Sequence, residues 1–201
     1  MGQLLNKAVK LVKKPLDSDE IIFKNGDTDK IIEVVLLADK EAANERFLKD
    51  FAPLLRGKTD LETCRNVWKF FRDEIPYKLD KRGFERIRLP NKCLFDAYRY
   101  NDGGDCKTFS VTEVDILREL GIKVMYRFIS QNPLRKVATH VYTVAILKDG
   151  TEVVCDGVYA LFNKNPNYYY KWDFEAAKLK ETHNIGQIGG GTVKFKSYEI
   201  F

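Results

Sequence analysis

An α+β domain, with N-terminal helices packed on an antiparallel sheet, is the fold class this chain predicts, and three observations predict it. The first third carries helical periodicity and a capping box. The stretch from Ile122 onward is mostly strand-like, with short runs of β-branched and aromatic residues. Between the two, a glycine turn opens one further helix at a cysteine. With 201 residues and 44% apolar content, the chain can build one such domain with an ordinary core and an added N-terminal element.

Residues 3–14 interleave Lys7, Lys10, Lys13 and Lys14 with apolar positions. They predict a short basic amphipathic helix, stopped by Pro15 and expected as a mobile or partner-docking arm. Ile21 to Gly26 reads as a strand and turn. Asp27 or Thr28 then caps a helix through Ile31, Ile32, Val35 and Leu36. A further helix is expected from about Lys40 to Leu55, ended by Gly57, with Phe47, Leu48, Phe51 and Leu55 on its apolar side. Thr59-Asp-Leu-Glu62 is a capping box for a helix over Leu61–Glu74, and Cys64 lies on that helix's apolar face with Trp68 and Phe71. Residues 1–58 are accordingly an arm and helical extension, and 59–201 the main domain. The end of the chain, with Gly186 and Gly189 to Gly191, reads as a flexible approach to a last strand, Thr192 to Ile200.

Gly103-Gly-Asp-Cys106-Lys-Thr-Phe-Ser110 carries the most chemistry. The glycine turn delivers Cys106 to the start of a helix whose apolar face is Phe109, Ile116, Leu117 and Leu120, with Gly121 where a C-cap belongs. A thiol at a helix N-terminus feels the positive end of the helix dipole and several unpaired N–H groups, which favour the thiolate. The same N–H groups can stabilise an oxyanion when that sulfur attacks a carbonyl. Cys64, Cys93 and Cys155 show no spacing with Cys106 that suggests a zinc site or a disulfide framework, so no metal or cofactor is expected.

A thiolate catalyst needs a base, and the chain has two histidines. His183 ends a polar helical stretch. His140 sits in Ala138-Thr-His-Val-Tyr-Thr-Val-Ala-Ile-Leu147, where the pattern otherwise wants Val and Ile. It reads either as a strand residue facing solvent or as the partner of Cys106 on a rigid mount. Lys148-Asp149-Gly150 then turns the chain into Thr151 to Asp156. A two-residue turn pairs Lys148 with Thr151 and sends Asp156 away from His140. A three-residue loop with Gly150 left-handed pairs Leu147 with Thr151 and puts Asp156 on the His140 face. Both registers fit the sequence, and only the second builds a triad.

Gly-Asp-Cys106 at a helix start, then His140 on a strand, then Asp156 on the next, resembles the transglutaminase-like superfamily of papain-related folds. Ile75-Pro-Tyr-Lys-Leu-Asp80, Ile87-Arg-Leu-Pro90 and Leu117 to Val124 extend the likeness, which covers roughly residues 60 to 160. The resemblance implies a Cys106–His140–Asp156 triad hydrolysing an amide or peptide bond through a thioester, with protein or peptide substrates. The family implies two alternatives: an amine-transferring crosslinking enzyme, or a non-catalytic structural or assembly protein. Compact members resemble products of phages and prophages, so a virion-associated role stands beside a cytoplasmic one. An aromatic often follows the histidine, which Tyr142 supplies; Asp-Pro often ends the third strand, where this chain has Asp156-Gly157. Tyr100 and Asn101 are oxyanion candidates by proximity.

The charge pattern points to few further partners. Lys78, Lys81, Arg82, Arg86, Arg88 and Lys92 form a basic stretch, but with net charge +5 and no aromatic-basic platform it reads as a solvated loop rather than a nucleic-acid site. No apolar run approaches the roughly 20 residues needed to span a bilayer, and the lysine-rich start does not read as a secretory signal. Asn167-Tyr-Tyr-Tyr-Lys-Trp172 fits either a cleft wall or packing under a sheet edge.

Overall fold

The computed structural model describes residues 2–24, 28–43, 45–81 and 84–176. His183 and the glycine-rich approach to a last strand lie outside them. The fold is α+β with two antiparallel sheets. In chain order the elements are α1 (Gln3–Leu11), β1 (Glu20–Lys24), α2 (Thr28–Ala42), α3 (Leu48–Phe51), α4 (Asp60–Glu74), β2 (Phe84–Arg88), α5 (Pro90–Tyr100), α6 (Cys106–Glu119), β3 (Lys123–Ser130), β4 (His140–Ile146), β5 (Glu152–Cys155) and β6 (Tyr170–Glu175). One sheet runs β5-β4-β3-β6; β1 and β2 form a separate ribbon.

Helix α6 lies at the centre. Every residue from Lys107 to Arg118 is buried, so it is enclosed on all sides rather than along one stripe. It packs on β3, β4, α2, α4 and α5. Side chains such as Phe109, Val114, Ile116 and Leu117 each contribute about 1.5–3 kcal/mol of burial free energy. Several of its polar residues find partners within the core: the Ser110 hydroxyl lies 2.8 Å from the Cys106 carbonyl and 3.1 Å from that of Val141. Gly121, at φ +75°, ends the helix as expected. The Ile122 N–H reaches the Leu117 carbonyl and the Gly121 N–H that of Arg118, the paired bonds of a Schellman stop.

The N-terminal region differs from expectation in four places. Helix α1 forms, but Leu5 and Ala8 are buried in the chain's own core, and the Leu5 N–H donates to Glu74 Oε2 at 2.8 Å, so it is not a free arm. Helix α2 runs on through Lys40 because Val35, Ala38, Asp39 and Ala42 continue its buried face. The helix expected up to Leu55 shrinks to α3 and a tight turn over Ala52–Leu55, where Pro53 cannot continue α-helical bonding. Thr59 caps α4 through the Glu62 N–H, while the Glu62 carboxylate takes the N–H of Lys58 instead of closing the box.

The basic stretch is more than a solvated loop. It contains β2 and leads into α5, and Lys78, Arg86, Arg88 and Lys92 meet carboxylates. Arg88 is 2% exposed, with Nε 3.1 Å from Asp96 and Nη2 3.0 Å from Asp102. Arg86 pairs with Asp80 at 3.1 Å, and Lys78 with Asp102 at 3.1 Å. The tyrosine-rich run leads into the edge strand β6, where Trp172 and Phe174 pack on the core and Phe174 meets Phe128 edge-on at 5.8 Å.

Candidate active site

The glycine turn is built by close backbone approach. The Gly103 N–H donates to the Pro76 carbonyl and the Lys78 N–H to that of Gly104, both at 2.9 Å, so Pro76–Lys78 runs alongside the turn. Gly104 has φ +94°, and a Cβ there would lie 2.8 Å from the Thr108 side chain. Asp105 is the N-cap of α6, its carboxylate accepting the Lys107 N–H at 3.1 Å. That cap fixes Cys106 as the first helical residue, with its sulfur partly exposed; Cys64, Cys93 and Cys155 are buried. Burial pushes the Cys93 thiol up to about 12, which makes it a poor nucleophile.

His140 opens β4 and is buried. Its Nε2 lies 2.7 Å from Asp156 Oδ2, and the ring shares a cleft with Cys106. Burial disfavours the charged ring, but the bond to Asp156 and the neighbouring Cys106 outweigh it and push its pKa up to about 10. Asp156 is itself fixed: its Oδ1 accepts the Val158 N–H at 3.1 Å. The hairpin has the three-residue loop. Gly150 sits at φ +85°, the Leu147 N–H bonds the Thr151 carbonyl, and Thr143 pairs with Cys155 and Val144 with Val154. Continued one step, that register sets Asp156 opposite Tyr142 and on the His140 face.

Two rings hold the imidazole. Tyr142 stacks on it at 5.7 Å and Tyr159 meets it edge-on at 5.5 Å. Tyr159 is held in turn: its hydroxyl takes a bond from Gln131 at 2.8 Å, and its carbonyl takes one from the Trp68 indole at 3.2 Å.

Cys106 and His140 line a cleft of about 240 Å³, whose apolar wall includes Ile31, Leu79, Phe128, Ala138 and Val141. Asp80, Glu85 and Asp105 converge beside it closely enough to hold a cation. The Lys107 ammonium takes that place, paired with Asp105, with Glu85 and, at 3.8 Å, with Asp80.

No family model matches this chain, and no curated protein does. Among solved structures, the chain is similar to a protein from Parabacteroides distasonis ATCC 8503 described as a "putative protease", with a TM-score of 0.47 and 12% identity. The likeness covers 66% of this chain and 27% of the other, so this chain spans about a quarter of that protein's length. A likeness this loose carries no conclusion about fold or chemistry.

The two oxyanion candidates do not reach the sulfur's cleft. Tyr100 is 66% exposed, and Asn101 takes the left-handed C-cap of α5 and lines a different hollow, beside Phe71 and Ile75. Sequence reasoning missed Tyr77. Its ring meets Phe109 edge-on at 5.5 Å, and it lines the cleft beside Cys106 and His140. Burial raises the phenol's pKa, so the O–H remains a donor. The readable signal was the glycine turn, since two glycines side by side mark where another segment comes close.

Proposed function

We propose that this chain is a cysteine-nucleophile hydrolase of amide or peptide bonds, of the transglutaminase-like type, with Cys106, His140 and Asp156 as its catalytic residues. One observation carries the reading: a partly exposed cysteine at a buried helix's N-terminus shares a cleft with an imidazole whose Nε2 lies 2.7 Å from a buried carboxylate. The Cys106 thiolate adds to the carbonyl carbon, and the C=O pair moves onto oxygen. That oxyanion is stabilised by the positive end of the α6 dipole and by the Tyr77 hydroxyl. As the tetrahedral species collapses, the C–N bond breaks and the leaving amine takes a proton from His140 Nδ1. Water then gives a proton to His140, attacks the thioester and expels the thiolate. Asp156 keeps the ring oriented throughout. The apolar cleft wall favours a substrate with an apolar side chain beside the scissile bond.

The test uses a thiol-directed electrophilic probe and a peptide library with apolar residues flanking the cleaved bond. Cys106 is expected to label far faster than the other three cysteines, with cleavage that the probe abolishes. Equal labelling of all four would overturn the reading. An added primary amine appearing in the product would reassign the chemistry from hydrolysis to transfer.

A further inference from the structure

Glu113 lies on α6 two turns beyond Cys106 and is 1% exposed. The mechanism above makes no use of it. Its Oε1 accepts the Gly157 N–H at 3.0 Å, and its Oε2 lies 3.1 Å from the Thr143 hydroxyl. That hydroxyl also lies 3.3 Å from the Ser110 carbonyl. Thr143 has one hydroxyl hydrogen and two oxygen neighbours. A carbonyl can only accept, so the arrangement is complete when Thr143 donates to Ser110 and Glu113 Oε2 donates to Thr143. That requires a protonated carboxyl group.

The surroundings agree. The titratable groups facing Glu113 are Asp156 and Cys155 from the β5 end, His140 from β4 and Cys93 from α5. No lysine or arginine stands among them, and the imidazole is already committed to Asp156. Burial, followed by repulsion from Asp156, pushes the Glu113 pKa well up. Gly157 permits the contact: a Cβ there would lie 2.8 Å from Glu113 Oε1 and 2.5 Å from Phe71 Cβ. A proline at this position would have no N–H to give.

We propose that Glu113 is a positioning residue that acts as a neutral carboxylic acid, clasping Gly157 and Thr143 so that Asp156 is the single negative charge set against His140. The role rests on the triad reading, but the protonation state does not. By tying α6 to β4 and to the turn after β5, the clasp fixes the distance between the helix that carries the nucleophile and the strand end that carries the acid. A carboxylate in its place would hold the same geometry while competing with Asp156 for the imidazolium.

Two measurements decide it. Infrared difference spectra of the full chain against Glu113→Gln at neutral pH are expected to show a protonated carboxyl band that the variant loses. Absence of that band overturns the proposal whether or not Cys106 is catalytic. The pH profile of Cys106 alkylation by iodoacetamide should be unchanged in Glu113→Gln, because the amide can donate to Thr143 and accept from Gly157. Glu113→Ala should slow that alkylation about tenfold, the low end of the loss when an outer hydrogen-bond partner is removed. A shifted profile in Glu113→Gln would mean an ionised Glu113 and would overturn it. Should Glu113→Ala fail to fold, the isosteric variant still decides. A parent whose Cys106 reacts no faster than an ordinary thiol would sink the triad and leave the infrared result standing.

Discussion

The two ends of α6 each bury a charged cluster, and they are built to opposite purposes. At the N-terminal end Cys106, His140 and Asp156 come together, and Cys106 and His140 line a cleft. Toward the C-terminal end Arg118 donates to Asp39 at 2.7 Å and pairs with Asp115, and the Tyr126 hydroxyl reaches Asp39 at 3.0 Å. All four of those residues are buried, and neither described cleft is lined by them. A guanidinium stays charged at any accessible pH, and with no opening onto it that cluster ties α2, α6 and β3 together rather than meeting a substrate. Buried charge alone therefore does not mark an active site. The marks are a group that titrates and an opening to reach it.

Five measurements can break or sharpen that contrast. The largest effect is expected from Cys106→Ala, which should cut turnover of any cleaved peptide by about 10⁴-fold or more while leaving thermal unfolding almost unchanged. Next comes Asp156→Asn, which keeps the shape but favours the wrong tautomer of His140. Kinetics on the same peptide should show a loss of up to about 10⁴-fold, as in serine triads. At the other end, Arg118→Met strands two buried carboxylates and should cost about 3–5 kcal/mol in denaturant unfolding, with Cys106 alkylation within twofold of the parent. If that alkylation collapses too, the two ends are coupled and the contrast fails.

The fourth measurement is the pH dependence of stability. His140 carries a pKa raised in the folded chain from 6.5 to about 10, so the folded form binds its proton more tightly than the unfolded one. Its stabilisation should be complete below about pH 6.5 and fade as pH rises toward 10. Chemical denaturation across that range should show the decline, and His140→Gln should flatten it. The smallest effect is expected at Gly150→Val. Positive φ at a β-branched residue costs about 1–3 kcal/mol, and either stability falls by that much or the loop shifts register and moves Asp156.

The candidate site was more legible than the scaffold. Cys106, His140 and Asp156 stand out because each breaks a local rule: a cysteine just past a glycine turn, a polar ring in an apolar strand, and an acid at a strand's end. The hairpin reduced to two registers, and the geometry of one glycine decides between them. Tyr77 was hidden because Cys106, with which it lines the cleft, is nearly thirty residues away. The buried character of α6 was hidden for a similar reason, since Thr108, Ser110, Thr112 and Glu113 look solvent-facing until distant carbonyls and hydroxyls are in place. Helix α5 was overlooked although its signals are local: Pro90 at the first turn, Cys93, Leu94 and Ala97 at helical spacing, and Asn101 as a left-handed stop. The arm reading of α1 failed because amphipathicity says that a face will be covered, not by what.

Trp68 gives the chain a built-in optical gauge of the surroundings of His140. Its indole donates to the Tyr159 carbonyl and packs on Phe162 at 5.7 Å, while the Tyr159 ring rests against the imidazole of His140. Trp172, the other tryptophan, sits on the far edge strand. With Trp172 replaced by phenylalanine, emission colour and lifetime would follow the loop over the histidine in real time, with no dye and no substrate analogue attached. A titration or a stopped-flow mixing experiment could then watch the imidazole's neighbourhood respond before any product is formed.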